Sequence, residues 1–392
     1  MLERARQLIQ PSGRSNVPPF MVMDVVAAAV RLEAQGRRII HMEVGQPAAG
    51  APASAIAAAR GALSQSALGY TETLGMPSLR QRIARAYGEW HGLDIDPGRV
   101  VVTTGSSAGF MLAFLAAFEA GNRVATALPG YPPYRHTLSA LGCEPIGIAT
   151  TTATRWALTG ETLLNTHRAQ PLDGVIVASP ANPSGTMMAA PVLEDVIRSA
   201  EDAGITVISD EIYHGLDYAF RAGCAARFSP RAIIVNSFSK YFCMTGWRIG
   251  WMIVPPSLVR AVERLQQNLA ISVPTLAQIA ATAAFDGRDE LEDVRHGYEE
   301  NRRILLEGLP RAGLDSFLPA DGAFYLYTDV SRYSTDSFAF AKRMLEEAGV
   351  AATPGIDFDP ERGQNFLRLC YAGSRDDMRQ AVERIGDWLK KL

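Results

Sequence analysis

The chain has 392 residues, which is too long for one simple hydrophobic core and predicts two domains. A net charge of −3 excludes a strongly basic surface, so the sequence predicts binding to neither nucleic acid nor anionic membranes. The four cysteines form no C-x-x-C pair and the six histidines have no metal-ligand spacing, so we expect no disulfide framework and no metal.

Two further features bear on where the protein is found. Residues 1–20 have no apolar core of a signal peptide. The longest apolar run, 110–118, is far shorter than the roughly 20 residues that a membrane helix needs. We therefore expect a cytoplasmic protein with no membrane partner.

Apolar residues at helical spacing predict three early helices, at 21–36, 53–64 and 77–90. Short apolar or β-branched runs follow, separated by helix-like segments at about 107–119, 134–141 and 191–203. The seven runs occupy residues 100–103, 123–127, 145–148, 174–178, 205–209, 232–236 and 249–254. Apolar strands that alternate with helices are typical of a mainly parallel sheet covered on both faces.

The pattern changes at about residue 285, where helices and short strands follow one another without a parallel repeat. The predicted elements are helices at 289–308, 337–348 and 374–391 and strands near 324–327, 350–353 and 365–370. The first helix has no strand partner of its own, so we expect it to pack with this part. The prediction is a large domain over 46–284 and a smaller α+β domain made of 1–45 and 285–392.

Lys240 is the most unusual residue of the chain. It is one of only four lysines among 38 basic residues, and the next lysine is Lys342. Lysine can lose its proton in suitable surroundings, whereas arginine cannot. Lys240 follows the apolar run 233–235, and Arg248 lies eight residues later. The segment fits a phosphate site with a free amine at a sheet edge, and it also fits an ordinary surface turn.

Three more polar features lie at predicted strand ends. Small residues at 101–109 lead from a strand into a helix whose free N–H groups attract anions. Asn182 lies in a loop stiffened by prolines, and Asp210 ends a buried strand, where its carboxylate needs a positive partner. Each feature also fits a plain turn, an ion pair or an N-cap, for example by Ser106, Ser107 or Asp210. Together they supply the amine, phosphate ligands and carboxylate that a pyridoxal phosphate site requires.

These motifs resemble those of the class I/II (fold type I) aminotransferases over about residues 20–390. The similar segments are Gly45-Gln46-Pro47, Gly69-Tyr70, Pro129-Gly130-Tyr131-Pro132-x-Tyr134, Asn182-Pro183-Ser184-Gly185, Asp210-Glu211-Ile212-Tyr213, Ser237-x-Ser239-Lys240 with Met244-Thr245-Gly246-Trp247-Arg248, and Phe366-Leu367-Arg368-Leu369. The resemblance implies the α/β fold of PLP-dependent transferases, with a mainly parallel seven-stranded sheet in the large domain and a smaller α+β domain.

The resemblance also implies pyridoxal 5′-phosphate as cofactor, held as a Schiff base on Lys240. The implied catalytic residues are Lys240, Asp210 and Tyr213. The implied cofactor-binding residues are Ser106, Ser107, Tyr131, Asn182, Asp210, Tyr213, Ser237, Lys240 and Arg248, with Tyr70 reaching in from a partner subunit. The implied substrate-binding residues are Gly45, Asn182 and Arg368.

The implied reaction is ping-pong transfer of an amino group from an L-amino acid to a 2-oxo acid by a homodimer. A PLP-dependent C–S lyase acting by β- or γ-elimination on a sulfur amino acid would use the same motifs. A third reading is a non-catalytic PLP-binding regulatory module, although the chain has no basic helix-turn-helix extension. The sequence offers no clear second arginine for a dicarboxylate, and residues 17–20 are predicted to line an apolar substrate pocket.

Overall fold

The computed structural model describes residues 10–65 and 67–392. Its first elements are α1 (Met21–Glu33), β1 (Ile40–His41), α2 (Ala53–Gln65) and α3 (Pro77–His91). The three predicted early helices are therefore confirmed to within a few residues. Helix α3 has the expected boundary chemistry, with Pro77 in its first turn and Gly92 in the left-handed conformation (φ 63°) just past its end.

The middle of the chain alternates strands and helices. The strands are β2 (Val100–Thr103), β3 (Arg123–Leu128), β4 (Glu144–Ala149), β5 (Gly174–Ala178), β6 (Thr206–Asp210), β7 (Ile233–Ser237) and β8 (Gly250–Ile253). The helices among them are α4 (Gly105–Ala117), α5 (Pro132–Ala140), α6 (Gly160–Ala169) and α7 (Ala190–Asp202). All seven predicted strands are confirmed, and no strand end differs from its predicted position by more than one residue.

These seven strands form one sheet in the order β2-β8-β7-β6-β5-β3-β4. Strand β8 runs antiparallel to both of its neighbours, and every other pair in the sheet is parallel. The predicted mainly parallel sheet is therefore confirmed. Because the parallel strands point the same way, the loops after β5, β6 and β7 all leave from one edge.

The sheet is covered on both faces, as its apolar strands require. Along β2, Val100 and Val102 belong to one apolar core, whereas Val101 belongs to a second core. Val235 on β7 also packs in the second core, and its neighbour Ile234 packs in the first. Since side chains alternate across a strand, the two cores lie on opposite faces of the same sheet.

The remainder of the chain is mainly helical, with a small antiparallel sheet. Its elements are α8 (Pro256–Leu269), α9 (Thr275–Ala284), α10 (Arg288–Ala312), β9 (Tyr325–Asp329), α11 (Ser337–Arg343), β10 (Val350–Ala351), β11 (Thr353–Pro354), β12 (Phe366–Cys370) and α12 (Arg375–Leu389). Strands β11, β12 and β9 form the small sheet in that order. The predicted helix at 337–348 is α-helical to Arg343 and continues as a π-helical turn to Ala348.

An early strand of the chain joins this second region. Strand β1 pairs in parallel with β10, Ile40 opposite Val350, and α1 packs beside β10 and β11. This pairing supports our proposal that residues 1–45 and 285–392 form one small domain beside a large domain of 46–284. Residues 1–9 of that range lie outside the described residues.

Candidate active site

A cavity of about 200 Å³, the active-site cavity, opens where the loops after the parallel strands converge. Ten of the twelve residues that the sequence singled out line it: Gly45, Ser106, Ser107, Tyr131, Asn182, Asp210, Tyr213, Lys240, Arg248 and Arg368. Although these residues are scattered over more than 320 positions of the chain, the fold brings them to one place. The other two, Ser237 and Tyr70, do not line the cavity.

Lys240 lies in the loop after β7, and its amine is on the floor of the cavity. Its Nζ donates a hydrogen bond to the main-chain oxygen of Gly45 at 2.6 Å. Loss of hydration lowers the pKa of Lys240 to about 8. An appreciable fraction of the amine is therefore neutral and nucleophilic near neutral pH.

Asp210 ends β6 and is almost fully buried. Its carboxylate accepts hydrogen bonds from the Ile212 N–H at 3.0 Å and from the Tyr134 hydroxyl. Burial raises the pKa of Asp210 to about 6, and the two hydrogen bonds oppose that rise. The result is a carboxylate that is still mostly ionised at neutral pH.

Tyr134 is a further site residue, which lies in one of the motifs quoted above but has no role predicted from the sequence. It follows Tyr131 by three positions at the start of α5, which places both rings on one side of the helix. Their centroids are 5.2 Å apart, and the planes are nearly perpendicular. The three-residue spacing of the two tyrosines could have indicated that Tyr134 belongs to the site. Nothing local in the sequence indicated that its hydroxyl would bond to Asp210, which lies 76 residues away.

Replacing Tyr134 by phenylalanine tests whether its hydroxyl controls Asp210. The loss of a charge-assisted hydrogen bond, about 1.5–3 kcal/mol, is expected to lower kcat by roughly 10- to 100-fold. The pKa of Asp210 rises, because the bond that opposed the rise is gone, so the acidic limb of the kcat profile moves to higher pH. The control is Tyr87→Phe, which removes a core hydroxyl bonded to Trp251. A lower kcat with an unmoved acidic limb would reduce Tyr134 to a packing role.

The part of the cavity lined by Ser106, Ser107 and Arg248, here named the anion-binding end, is suited to an anion. Ser106 and Ser107 lie in the first turn of α4, where backbone N–H groups lack helical partners. The guanidinium of Arg248 lies against Gly105, where an added Cβ would be 2.5 Å from Nη2. A helix N-terminus and a guanidinium together form a phosphate-binding arrangement.

Ser237, which the resemblance assigns to the phosphate, and its neighbour Ser239 differ in their position relative to the cavity. Ser237 is buried behind the cavity wall, and its hydroxyl donates to Ser239 Oγ at 2.8 Å. Ser239 lines the cavity, together with Thr245, which the sequence analysis did not select. Consequently Ser237 reaches the anion-binding end only through Ser239.

Arg368 on β12 dominates a third region of the cavity. The buried guanidinium donates to Asn182 Oδ1 at 3.0 Å, to Thr353 Oγ1 at 3.1 Å and to the main-chain oxygen of Glu43. It also stacks near the ring of Tyr325, 4.5 Å from the centroid. Its Nε has no hydrogen-bond partner among the described residues. Because Arg368 lines the cavity, its guanidinium is suited to pair with the carboxylate of a bound ligand.

The tyrosines that face this guanidinium fix the shape of the cavity. Tyr213 and Tyr325 share a hydrogen bond of 2.8 Å between their hydroxyls. A Cβ at Gly45 would be 1.7 Å from the Tyr325 hydroxyl, so only glycine fits there. Tyr325 was absent from the sequence-based set of site residues. Asn182, expected to bind the cofactor ring oxygen, bonds to Arg368 in this structure.

A pair of side chains behind Arg368 makes stability depend on pH. The His41 ring bonds to buried Glu43 at 2.8 Å and to Glu33 at 3.1 Å, and these contacts, the Glu43 bond above all, raise the pKa of His41 to about 9. Because the folded pKa is the higher one, the charged ring stabilises the fold below pH 6.5. This contribution is lost as the pH rises through about 9.

The expected result for His41→Gln is a lowered Tm near pH 6 and an unchanged Tm above pH 9, each relative to the parent protein. Thermal unfolding followed by circular dichroism at both pH values measures the difference. Exposed His296, whose ring nitrogen bonds to its neighbour Arg295 and to no carboxylate within residues 10–65 and 67–392, provides the matched control as His296→Gln. A Tm difference that stays constant with pH would mean that the charge of His41 contributes nothing.

The comparisons with known proteins agree with this geometry. The sequence profile described as aminotransferase class I and II matches residues 37–385. The chain belongs to the class I and II aminotransferases. The transamination function and the fold predicted from the motifs are thereby confirmed.

Individual relatives of this aminotransferase are similar over nearly their whole length. A valine–pyruvate aminotransferase of Mycobacterium tuberculosis is 48% identical over 96% of this chain and 97% of its own. A crystal structure of an aminotransferase from the same organism has a TM-score of 0.96 at 47% identity and covers 98% of this chain and 100% of that one. An aspartate aminotransferase of Thermus thermophilus, solved with maleate, has a TM-score of 0.91 at 31% identity, covering 97% and 100%.

The cofactor of this aminotransferase is pyridoxal 5′-phosphate, as in its family. The described residues fit its chemical groups. An amine of lowered pKa suits the aldehyde, a buried carboxylate suits the ring nitrogen, and a helix N-terminus beside a guanidinium suits the phosphate. The three features lie in one cavity, so a single molecule would contact all of them.

Proposed function

We propose that the sequence-derived site residues act in the roles their positions suit. Lys240 binds the cofactor covalently, and Asp210 holds the proton on the ring nitrogen of the cofactor. Tyr131 covers the ring. The phosphate is held by Ser106, Ser107, Ser239 and Arg248, with Ser237 supporting Ser239. Asn182 and Tyr213 face the ring oxygen, while Arg368, aided by the Gly45 backbone, binds the substrate carboxylate.

In this scheme the protein orients the substrate and moves one proton. When bound, pyridoxal 5′-phosphate supplies an aldehyde for the substrate amine and a ring that withdraws electrons. Arg368 fixes the carboxylate, which leaves the α-proton directed towards the side of the cavity that holds Lys240. The neutral Lys240 amine takes that proton, as its lowered pKa favours. Asp210 remains ionised during this proton transfer and keeps the ring nitrogen of the cofactor protonated.

We further propose that the amino donor is a small neutral amino acid such as valine, with pyruvate as acceptor. The observation that carries this proposal is the apolar part of the cavity lining. Phe20, just before α1, and Val22 and Met23, in its first turn, contribute apolar surface to the cavity. Lys240, Arg248 and Arg368 are the only cationic side chains that line the cavity within the described residues, and each already has a role. The name of the 48% identical Mycobacterium tuberculosis relative also supports valine and pyruvate.

A second carboxylate on the substrate would be unpaired in this apolar region, at a cost of about 3 kcal/mol. We therefore expect kcat/KM for valine with pyruvate to exceed that for aspartate with 2-oxoglutarate by at least about 100-fold. Coupled assays over a panel of donors and both acceptors measure this ratio. A preference for aspartate would overturn the substrate assignment. Release of ammonia and pyruvate from cysteine without an acceptor would favour the C–S lyase alternative.

We also propose a homodimer in the cytoplasm, with Tyr70 entering the partner's cavity. Tyr70 is 83% exposed and does not line its own cavity, which supports a role across an interface. Exposed apolar side chains near the same loop, Leu269 and Ile271, would be covered by a second subunit. Four free, buried cysteines support a reducing compartment. A fully active monomer in sedimentation with activity detection would contradict the dimer.

A further inference from the structure

A second cavity, here named the outer cavity, has a volume of about 520 Å³. On one side it is bounded by residues 150–152 and Trp156, and on the other by residues 315–318, Asp329 and Phe366. The two cavities share no lining residue, and none of the roles proposed above falls on a residue of the outer cavity.

Aromatic rings form the floor of the outer cavity. Tyr327 and Phe366 stack in parallel with centroids 4.7 Å apart. Trp156 stands perpendicular to both, at 5.9 Å from Tyr327 and 5.8 Å from Phe366. The Tyr327 hydroxyl is buried and has no hydrogen-bond partner among the described residues, which leaves this floor with an unmet polar group.

The backbone holds Trp156 in this place against its own preference. Arg155 and Trp156 both have positive φ, 54° and 59°, a region that costs roughly 1–2 kcal/mol for a residue with a side chain. The Arg155 guanidinium pairs with Asp321 at 2.8 Å, which anchors the strained turn. The chain therefore maintains an unfavourable conformation that presents the indole to the outer cavity.

The rim of the outer cavity is negatively charged. Asp359 is neutralised by Arg362 at 2.7 Å, and the same guanidinium donates to the Thr150 main-chain oxygen. Asp315 and Asp329 have no ion-pair partner anywhere in residues 10–65 and 67–392. Asp329 accepts a hydrogen bond from the Ser331 N–H at 2.7 Å, and this neutral donor leaves its charge intact, so both carboxylates keep their full negative charge at the edge of the aromatic floor.

We propose that the outer cavity binds a small organic cation, a quaternary or protonated amine that carries an apolar or aromatic body. The partly exposed indole of Trp156 attracts a cation, the stacked pair of Tyr327 and Phe366 supports that indole from below, and unpaired carboxylates add Coulomb attraction. An anion would be repelled by Asp315 and Asp329, and a neutral apolar molecule would gain nothing from them. The unpaired carboxylates therefore select for positive charge, and the aromatic floor selects for an apolar body.

Benzyltrimethylammonium is a suitable probe, because it has no N–H and cannot bond to the cofactor aldehyde in the active site. Isothermal titration calorimetry of the holoenzyme is expected to give one saturable site with Kd of about 0.1–1 mM. Benzyl alcohol, which has a similar ring and no charge, should bind at least about 10-fold more weakly. Rising salt should weaken the binding of the cation.

The double variant Asp315→Asn/Asp329→Asn keeps side-chain shape and removes both charges, so it tests the site itself. Its Kd for the probe should rise at least about 10-fold. The matched control is Asp387→Asn, an exposed acid on α12 with one surface pair to Lys390. Absence of saturable binding in the parent enzyme, or an unchanged Kd in the double variant with a native circular dichroism spectrum, would overturn the proposal.

Discussion

Replacing Lys240 by alanine is expected to lower kcat by at least about 10⁴-fold, because the same amine acts as nucleophile and as proton carrier. No other lysine precedes residue 342, so no neighbouring amine is available to replace it along the chain. Steady-state rates with the preferred amino donor, measured at saturating cofactor, give the ratio. Lys342→Ala, which changes an exposed lysine on α11, should leave kcat unchanged.

A second substitution separates charge from proton transfer at this position. Lys240→Arg keeps a cation on the cavity floor, but a guanidinium does not lose its proton under these conditions. We therefore expect Lys240→Arg to be as inactive as Lys240→Ala. Substantial turnover by the arginine variant would mean that position 240 acts through charge alone.

The second large effect is expected at Arg368. Arg368→Lys keeps the positive charge but loses the two-pronged geometry and leaves Asn182 and Thr353 without their donor. A loss of about 3 kcal/mol, or roughly 100-fold in kcat/KM, follows, and it falls mainly on KM because carboxylate binding persists through the reaction. Kinetics over a range of valine concentrations measure the split.

Inhibition by isovalerate checks the assignment of Arg368 without any turnover. This acid carries the carboxylate and the branched chain but no amino group, so its Ki should rise by about the same factor as KM. Arg302→Lys is the control, because Arg302 also donates to a main-chain oxygen, that of Ala320, outside the active-site cavity. Unchanged KM and Ki would make Arg368 a structural residue of the small sheet.

Much of the large domain was predictable because its strands are buried on both faces. Runs such as 174–178 and 233–237 have few polar residues, and the change from strand to helix is marked by small or turn-forming residues. The site followed from the same pattern, since Asp210 ends β6 and Lys240 follows shortly after the adjacent parallel strand β7. The general geometry of parallel sheets then placed them together.

Some helices gave too weak a periodic signal. Helix α9 is rich in alanine and apolar on most sides, so it has little contrast between faces for a pattern to reveal. Helix α6 is short and ends in polar residues, and it begins at a capping box formed by Thr159 and Thr162 rather than by the more usual glutamate. Neither helix was predicted from the sequence.

The unpredicted site contacts all join distant parts of the chain. Tyr134 meets Asp210, and Glu43 supports Arg368 through a main-chain oxygen, which carries no residue-specific signal. Whether Ser237 or Ser239 lines the cavity depends on which side of the turn after β7 faces it, and tertiary packing determines that side. Such contacts require the folded arrangement, because no local period encodes them.

The most direct measurement is borohydride reduction of the holoenzyme followed by peptide mapping. The chain has only four lysines, Lys240, Lys342, Lys390 and Lys391, so the position of the label is unambiguous. We predict one cofactor-labelled peptide, which contains Lys240, and loss of the visible absorbance of the cofactor on reduction. A fully active enzyme that yields label only at another lysine, or none at all, would contradict the central claim.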